Sequence, residues 1–116
     1  MDALSKTVDS YLRLLSRTVL MATPSDRSNI DILLTMLGPA DKEIMEAYYG
    51  IGGKDAVSAS EIAAHFGVQP EQIEEIVVKD LRHIAVTPEW QMMLQQFPET
   101  VRRRILPKNA AGSHTK

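Results

Sequence analysis

The sequence predicts an all-α protein, a compact helical domain built from several short helices. Two observations lead to this prediction. Apolar residues recur three and four positions apart in successive segments, as they do on the buried face of a helix. Between these segments stand residues that begin or end helices, such as Gly67 and the Thr87-Pro88 pair. We therefore expect helices throughout the chain and no sheet.

The clearest local pattern is a helix-turn-helix over residues 58–84. A short first helix is predicted to run to Phe66, with Ser58 as its cap and Glu61 completing a capping box. Gly67 tolerates the left-handed backbone that ends a helix, and Pro70 suits the first turn of the next. That second helix is predicted to reach about Ile84. Its buried stripe is expected to comprise Ile73, Ile76, Val77, Leu81 and Ile84.

Three further elements precede the helix-turn-helix. The first is an amphipathic helix over about residues 4–21, followed by a break at residues 22–25. The second is a helix from about Asp26 to Leu37, and the third begins at Pro39 and ends near Tyr49. The apolar face of the first helix is expected to comprise Leu4, Val8, Tyr11, Leu12, Leu15, Val19 and Leu20.

Two short helices are predicted after the helix-turn-helix. Thr87 is expected to cap the first, and Pro98 to stop it and open the second, which ends near Leu106. The chain is thus organised as one helical domain over residues 1–106, with an N-terminal helix in 1–24, a core over 25–86 and C-terminal helices over 87–106. The small, polar residues 107–116 are expected to form a flexible tail.

Composition limits the classes of function. The 116 residues include no cysteine, so disulfides and thiolate metal sites are excluded. The formal net charge of −2 argues mildly against an autonomous DNA-binding module. No apolar run approaches the length of a membrane span, and the N-terminus lacks the order of regions found in signal peptides. We expect a cytoplasmic protein without a membrane association.

Residues 37–84 resemble region four of the bacterial primary sigma factors, the RNA polymerase subunits that read the promoter's upstream element. The resemblance is carried by Leu37-Gly38-Pro39, by the turn Tyr49-Gly50-Ile51, and by Ser60-Glu61-Ile62-Ala63 with Phe66 and Val68. It implies a fold with a helix-turn-helix and contact with promoter DNA. It also implies that the helices over residues 26–49 hold the flap element of RNA polymerase.

The resemblance also implies a set of DNA-binding positions, and this chain departs from the family there. In the family the exposed face of the second helix is rich in Arg, with Gln and Lys, whereas Pro70, Glu74 and Glu75 occupy basic or amide positions here. DNA binding through this helix is therefore expected to be weak. The positions carried over from the family are Ser58, Gln69, Glu71, Gln72, Glu75 and Lys79.

Charge is distributed unevenly along the chain. Residues 61–80 contain five acidic residues and one basic residue, a net charge of −4, whereas residues 99–116 contain one acidic and five basic residues, a net charge of +4. Phosphate neutralisation by Lys and Arg supplies most of the affinity of proteins for DNA. The basic run Arg102, Arg103 and Arg104 is therefore a candidate for phosphate contacts. The acidic residues Glu71, Glu74 and Glu75 form a candidate protein-binding face.

Two functional hypotheses remain open at this stage. In the first, the protein regulates transcription through RNA polymerase, with weak or accessory binding of promoter DNA. In the second, it keeps a sigma-like shape, binds no DNA, and presents its acidic second helix to polymerase or to a sigma-binding regulator. A third class, a structural oligomerisation domain, requires the terminal helices to pair between subunits. The promoter, the partner and the oligomeric state are not determined by the sequence.

Catalysis is not predicted. His65, His83 and His114 have no cysteine partners and no i,i+4 pairing with one another, so we expect no metal site and no cofactor. Ser58 and Ser60 lack an adjacent Asp-His arrangement that could activate a nucleophile. The loop over residues 50–55 is rich in glycine, but no Gly-Lys-Ser/Thr follows at the spacing of a phosphate-binding loop. We therefore expect a binding protein rather than an enzyme.

Overall fold

A computed structural model describes residues 1–17 and 23–106 and places seven α-helices in them. The described part of the chain contains no strand, which confirms the prediction of an all-α fold. The helices are α1 (Ala3–Arg17), α2 (Pro24–Thr35), α3 (Pro39–Tyr49), α4 (Ala59–Phe66), α5 (Pro70–Ala85), α6 (Pro88–Gln96) and α7 (Glu99–Ile105).

The longest helix, α5, is the centre of the packing. It contacts α1, α3, α4 and α6, and its side chains Ile73 and Leu81 are completely buried. Helix α1 lies against α5 and also contacts α3 and α7, while α2 packs on α3 and α6. All seven helices contribute apolar side chains to one continuous core. Helix α5 is thus covered by other helices on several sides, and only its outer face is accessible to a partner.

An aromatic cluster attaches the C-terminal helices to α1. Tyr11 of α1 stacks on Phe97, with 4.7 Å between ring centroids, and Trp90 of α6 meets the edge of the Tyr11 ring at 5.5 Å. Thr87 caps α6 by accepting the N–H of Trp90, as predicted. Burial of the large aromatic surfaces makes residues 87–106 part of the same packed body as α1.

The described part of the first helix runs from Ala3 to Arg17. The predicted continuation through Val19, Leu20 and Met21 lies outside the described residues. The assignment of Leu4 to the buried face was wrong, since its side chain is 49% exposed. Ser5 and Thr7 are buried in this first turn instead, and the Thr7 hydroxyl donates to the carbonyl of Ala3. The predicted flexible tail, residues 107–116, also lies outside the described residues.

The start of α2 corrects a second boundary. The second helix was expected to begin near Asp26, but α2 begins at Pro24 with Thr23 as its cap. The Thr23 hydroxyl accepts the N–H of Asp26 at 3.0 Å, and the Asp26 carboxylate accepts the N–H of Thr23 at 3.2 Å. This reciprocal cap places Pro24 at the first helical position, where its missing N–H has no cost. Because α2 ends at Thr35, Leu37 lies beyond the helix and is half-buried.

The segment predicted as a helix-turn-helix contains a helix, a three-residue turn and a second helix. Ser58 caps α4, with its hydroxyl accepting the N–H of Glu61 at 3.1 Å. Gly67 ends α4 in left-handed backbone at φ 70°, and Pro70 opens α5. Ile73, Val77, Leu81 and Ile84 are buried as predicted. Ile76 differs, because it lies at the edge of the core and is only half-buried.

The turn that ends α3 and leads into the following loop is tightly packed. Tyr49 and Ile51 are both buried, and Gly50 between them adopts left-handed backbone at φ 70°. A Cβ atom added to Gly50 would lie 2.6 Å from the backbone nitrogen of Ala56. The loop also returns to α3, where Ala47 accepts the N–H of Val57 at 2.9 Å. Gly50 is therefore required both by its backbone conformation and by the close approach of the returning chain.

Candidate functional site

The outer side of α5 carries an acidic face formed by Glu71, Glu74 and Glu75. All three side chains are exposed, and the apolar Val78 one turn later is 40% exposed. The buried stripe of α5 fixes this orientation, because Ile73 and Val77 are held in the core. The three glutamates predicted as a protein-binding face thus lie on one surface of the molecule. Their positions in the first half of α5 suit the positive end of the helix dipole.

One glutamate of the acidic face is held by the neighbouring helix. The Tyr48 hydroxyl of α3 donates to Glu74 Oε1 at 2.9 Å. Partial burial raises the pKa of Tyr48, and the bond to Glu74 raises it further. The phenol therefore remains a donor at neutral pH. This bond positions Glu74, whereas Glu71 and Glu75 form no hydrogen bond or ion pair with any described residue.

Both Lys and Arg side chains of α5 are paired with carboxylates from elsewhere in the chain. The i,i+4 spacing of Glu75 and Lys79 would allow an ion pair, but these two side chains form none. Lys79 Nζ instead lies 3.4 Å from Asp41 Oδ2, because α3 packs beside α5 at this level. Arg82 Nη1 lies 2.9 Å from Asp2 Oδ2. Both cations of α5 thus have carboxylate partners, and Lys79 also lies beside Glu74, Glu75 and Val78 on the surface of the helix.

A buried carboxyl group lies beneath Lys79. Asp80 is only 2% exposed, and its Oδ2 atom accepts no hydrogen bond from a described residue. Burial raises its pKa to about 7, and the neighbouring carboxylate of Asp41 acts in the same direction. Lys79, whose Nζ is 3.9 Å from Asp80 Oδ1, partly opposes this shift. Asp41 and Asp80 thus form a carboxyl pair at the contact of α3 with α5.

The remaining positions suggested by the sigma resemblance serve the local fold. The Ser58 hydroxyl caps α4, and the Gln72 side-chain oxygen accepts the backbone N–H of Gln69 at 2.9 Å. All three side chains are exposed, but Ser58 and Gln72 each use an oxygen to satisfy a helix start. The structure therefore brings together Gln69, Glu71, Gln72 and Glu75 on the exposed N-terminal half of α5.

The basic run of α7 lies beside α1 rather than beside α5. Arg103 and Arg104 line a groove together with Arg13 and Arg17 of α1, and no residue of α5 contributes to its lining. Arg102 is half-buried, and its Nε atom forms no hydrogen bond with a described residue. The sequence argument missed Arg13 and Arg17 as members of this cluster. Their spacing of four residues on one side of a helix was the available signal.

The surface of α2 carries exposed apolar side chains. Ile32 is 55% exposed and Met36 is 52% exposed, on the helix that the sigma resemblance assigns to the polymerase flap. A shallow depression of about 210 Å³ lies where Ile32 approaches Met92 of α6. A second depression of about 350 Å³ lies between α3 and α4 and is lined in part by Ala47 and Phe66. These surfaces are the apolar candidates for a protein partner.

Comparison with known proteins identifies no relative of this chain. No protein-family model matches it, and neither a curated protein nor a solved structure does so.

In residues 1–17 and 23–106, no three or more His, Asp or Glu side chains are placed so that they could hold a metal ion together. None of the helices in this part of the chain is long and apolar enough to cross a membrane.

Proposed function

We propose that the protein is a small transcription-regulating module that resembles sigma region four and acts through protein contacts. Its partner would be RNA polymerase, through the flap element, or a sigma-binding regulator. The acidic face of α5 would recognise a basic protein surface and would not read promoter bases. The observation that carries this proposal is that the acidic face is exposed while Lys79 and Arg82, the Lys and Arg of α5, are paired elsewhere.

Electrostatics favours a protein partner over DNA for this helix. A helix in the major groove lies between two rows of phosphates, and affinity comes chiefly from Lys and Arg. Here Glu71 and Glu75 would approach phosphates, and the neighbouring cation Lys79 is shared with Asp41. A glutamate can accept a bond from cytosine N4, but this contact does not offset several repulsive ones. A complementary basic surface would instead be attracted and guided into register.

The residues that carry the sigma resemblance form caps and turns of this fold. Tyr49, Gly50 and Ile51 make the packed turn after α3, and Ser58 with Glu61 caps α4. These residues thus form the turn after α3 and the cap of α4, in a segment where α3, α4 and α5 follow one another with turns between them. The exposed positions, by contrast, differ from the family pattern. This combination is what we expect of a chain that keeps a sigma-like framework and recognises a different partner.

The exposed apolar residues of α2 supply the second part of the proposed interface. Ile32 and Met36 lie one helical turn apart and are each about half exposed. An apolar flap peptide would bury both and gain about 25 cal/mol for each Å² removed from water. Methionine adapts its shape to different partners at such a surface. Helix α2 would thus supply affinity, and the acidic face of α5 would supply specificity.

The proposal is tested by retention on two immobilised baits, an RNA polymerase flap fragment and a sigma-binding regulator. Ile32→Asp with Met36→Asp should weaken retention on the flap at least tenfold. Glu71→Gln with Glu75→Gln should weaken retention on a bait whose contact surface is basic. This loss of retention should be greatest at low salt, where charges are least screened. The matched control is Glu89→Gln with Glu99→Gln, which removes the same charge from α6 and α7. Absence of retention on both baits at low salt contradicts the proposal.

A further inference from the structure

Four arginines line one groove between α1 and α7. The two helices pack through apolar side chains that include the buried Val101 and Ile105 of α7. This packing brings Arg103 and Arg104 to the same groove as Arg13 and Arg17. The groove has a volume of about 470 Å³, and the rest of its lining is Ser10, Leu14 and Leu106. Residues distant in sequence therefore build a single basic surface, called the arginine groove below.

The charge of the arginine groove is only partly balanced. Arg17 and Arg104 form no ion pair with any described residue, and no carboxylate lines the groove. Arg103 lies 3.3 Å from Glu99, but both side chains are at least 70% exposed, and such a pair is weak. Arg13 lies 3.1 Å from Asp9. The adjoining residues 18–22 and 107–116 contain no Asp or Glu and two Lys, so their side chains add no negative charge.

This clustering places several like charges on one surface. Like charges on one surface repel one another. The whole chain carries a net charge of −2, so the excess of positive charge in the groove does not reflect the overall composition. A guanidinium presents its N–H donors as a planar fork that matches the oxygens of a phosphate. Arg17 and Arg104 have these donors free of carboxylate partners in the described structure. The groove thus has the chemistry of a site for several phosphates at once.

We propose that the arginine groove binds the phosphate backbone of duplex nucleic acid without reading its sequence. Duplex DNA carries about one negative charge per 1.7 Å of its axis, so it can engage several guanidinium groups together. A membrane surface fits less well, because the apolar residues of the groove, Leu14 and Leu106, are half-buried and offer no exposed anchor. This inference concerns α1 and α7 and does not depend on the function proposed for α5 and α2.

The proposal is tested by fluorescence anisotropy with two short labelled duplexes, one of promoter sequence and one of scrambled sequence. The test variant is Arg17→Gln with Arg104→Gln. Its matched control, Lys79→Gln with Arg82→Gln, removes the same two charges from α5. We expect the natural protein to bind both duplexes equally. The groove variant should lose about tenfold in affinity at low salt, with a salt slope about 1.8 smaller in magnitude. The control should retain affinity within about threefold.

Three outcomes would overturn the proposal. In the first, the α5 control loses affinity and the groove variant does not, which places the DNA on α5. In the second, vesicles of mixed phosphatidylcholine and phosphatidylserine retain the protein through Arg17 and Arg104 while the duplex does not, which makes the ligand a lipid headgroup. In the third, the folded natural protein binds neither probe at low salt. Circular dichroism of each variant confirms that a loss of binding is not a loss of fold.

Discussion

Lys79 Nζ lies 3.4 Å from Asp41 Oδ2, so the cation that could have served the exposed side of α5 is directed toward α3. The same ammonium group is 3.9 Å from Asp80, which is buried at the contact of the two helices. Lys79 therefore helps to compensate a pair of carboxyl groups between α3 and α5. The acidic face and this carboxyl pair are coupled through one side chain, which has consequences for pH dependence and for DNA binding.

The first prediction is that the contribution of Asp80 to the stability of the fold decreases as pH rises from about 4 to about 7. The pKa of Asp80 is raised to about 7 from its ordinary value of 3.8, so the folded state holds this proton more tightly than the unfolded state does. The stabilisation that Asp80 contributes is therefore fully present at low pH and is lost across that window. The loss is a few kcal/mol, because each unit of pKa shift corresponds to about 1.4 kcal/mol. Urea unfolding at several pH values measures it.

Asp80→Asn is the control for this effect. The amide keeps the size of the side chain and cannot ionise, so the contribution of this site to the pH dependence should disappear. Asp31→Asn removes an exposed carboxylate that pairs with Lys42 and should leave the dependence in place. If stability in the natural protein rises steadily from pH 4 to 7 and Asp80→Asn leaves that profile unchanged, Asp80 does not titrate as stated.

The second prediction compares two isoleucines of α5. Ile73→Ala should lower the free energy of unfolding by about 2–5 kcal/mol, because the side chain is completely buried in the core. Ile76→Ala should cost roughly half as much, because Ile76 lies at the core edge and water can reach the site. Chemical denaturation followed by circular dichroism gives both values. Equal losses for the two variants would show that Ile76 is as buried as Ile73.

The third prediction concerns the turn after α3. Gly53→Ala should destabilise the protein by about 1–2 kcal/mol, because φ is 82° there and an added methyl group meets no neighbour. Gly50→Ala should cost more, because the methyl group would also displace the backbone of Ala56. Thermal unfolding of the two variants side by side provides the comparison. A smaller loss for Gly50→Ala than for Gly53→Ala would mean that the loop does not pack as described.

The fourth prediction is that α5 contributes little to DNA affinity in the natural protein. Binding of duplex DNA should be nonspecific, with Kd of roughly 10⁻⁴ to 10⁻⁶ M at physiological salt. Glu71→Arg with Glu75→Gln should strengthen it, because repulsion is removed and one phosphate contact is added. Glu74 is left unchanged because it accepts the Tyr48 hydroxyl. Tenfold discrimination of promoter over scrambled duplex, lost in Glu75→Ala, would show instead that the acidic helix reads bases.

The sequence by itself predicted the order of the helices and several of their ends. Ser58 with Glu61, Gly67, and Thr87 were identified as capping or stop positions because each acts within three or four residues of itself. The same local range explains the buried stripe of α5, since helical periodicity places residues on one face whatever the partner is. Leu4 shows the limit of this reasoning. Periodicity assigns it a face, but only the packing of the helix end decides whether that face is covered.

Tertiary structure decided which charges meet between helices, whereas the pairs of Arg13 with Asp9 and of Arg103 with Glu99 follow from spacing within one helix. Lys79 had a suitable partner one turn away in Glu75, yet the packing of α3 on α5 placed Asp41 within reach instead. The arginine groove likewise exists only because α7 docks on α1, which brings together charges from both ends of the chain. Sequence spacing encodes neighbours along one helix. Contacts between two helices depend on where the helices cross and on how each is rotated about its axis. Both are determined by all the side chains of the core together.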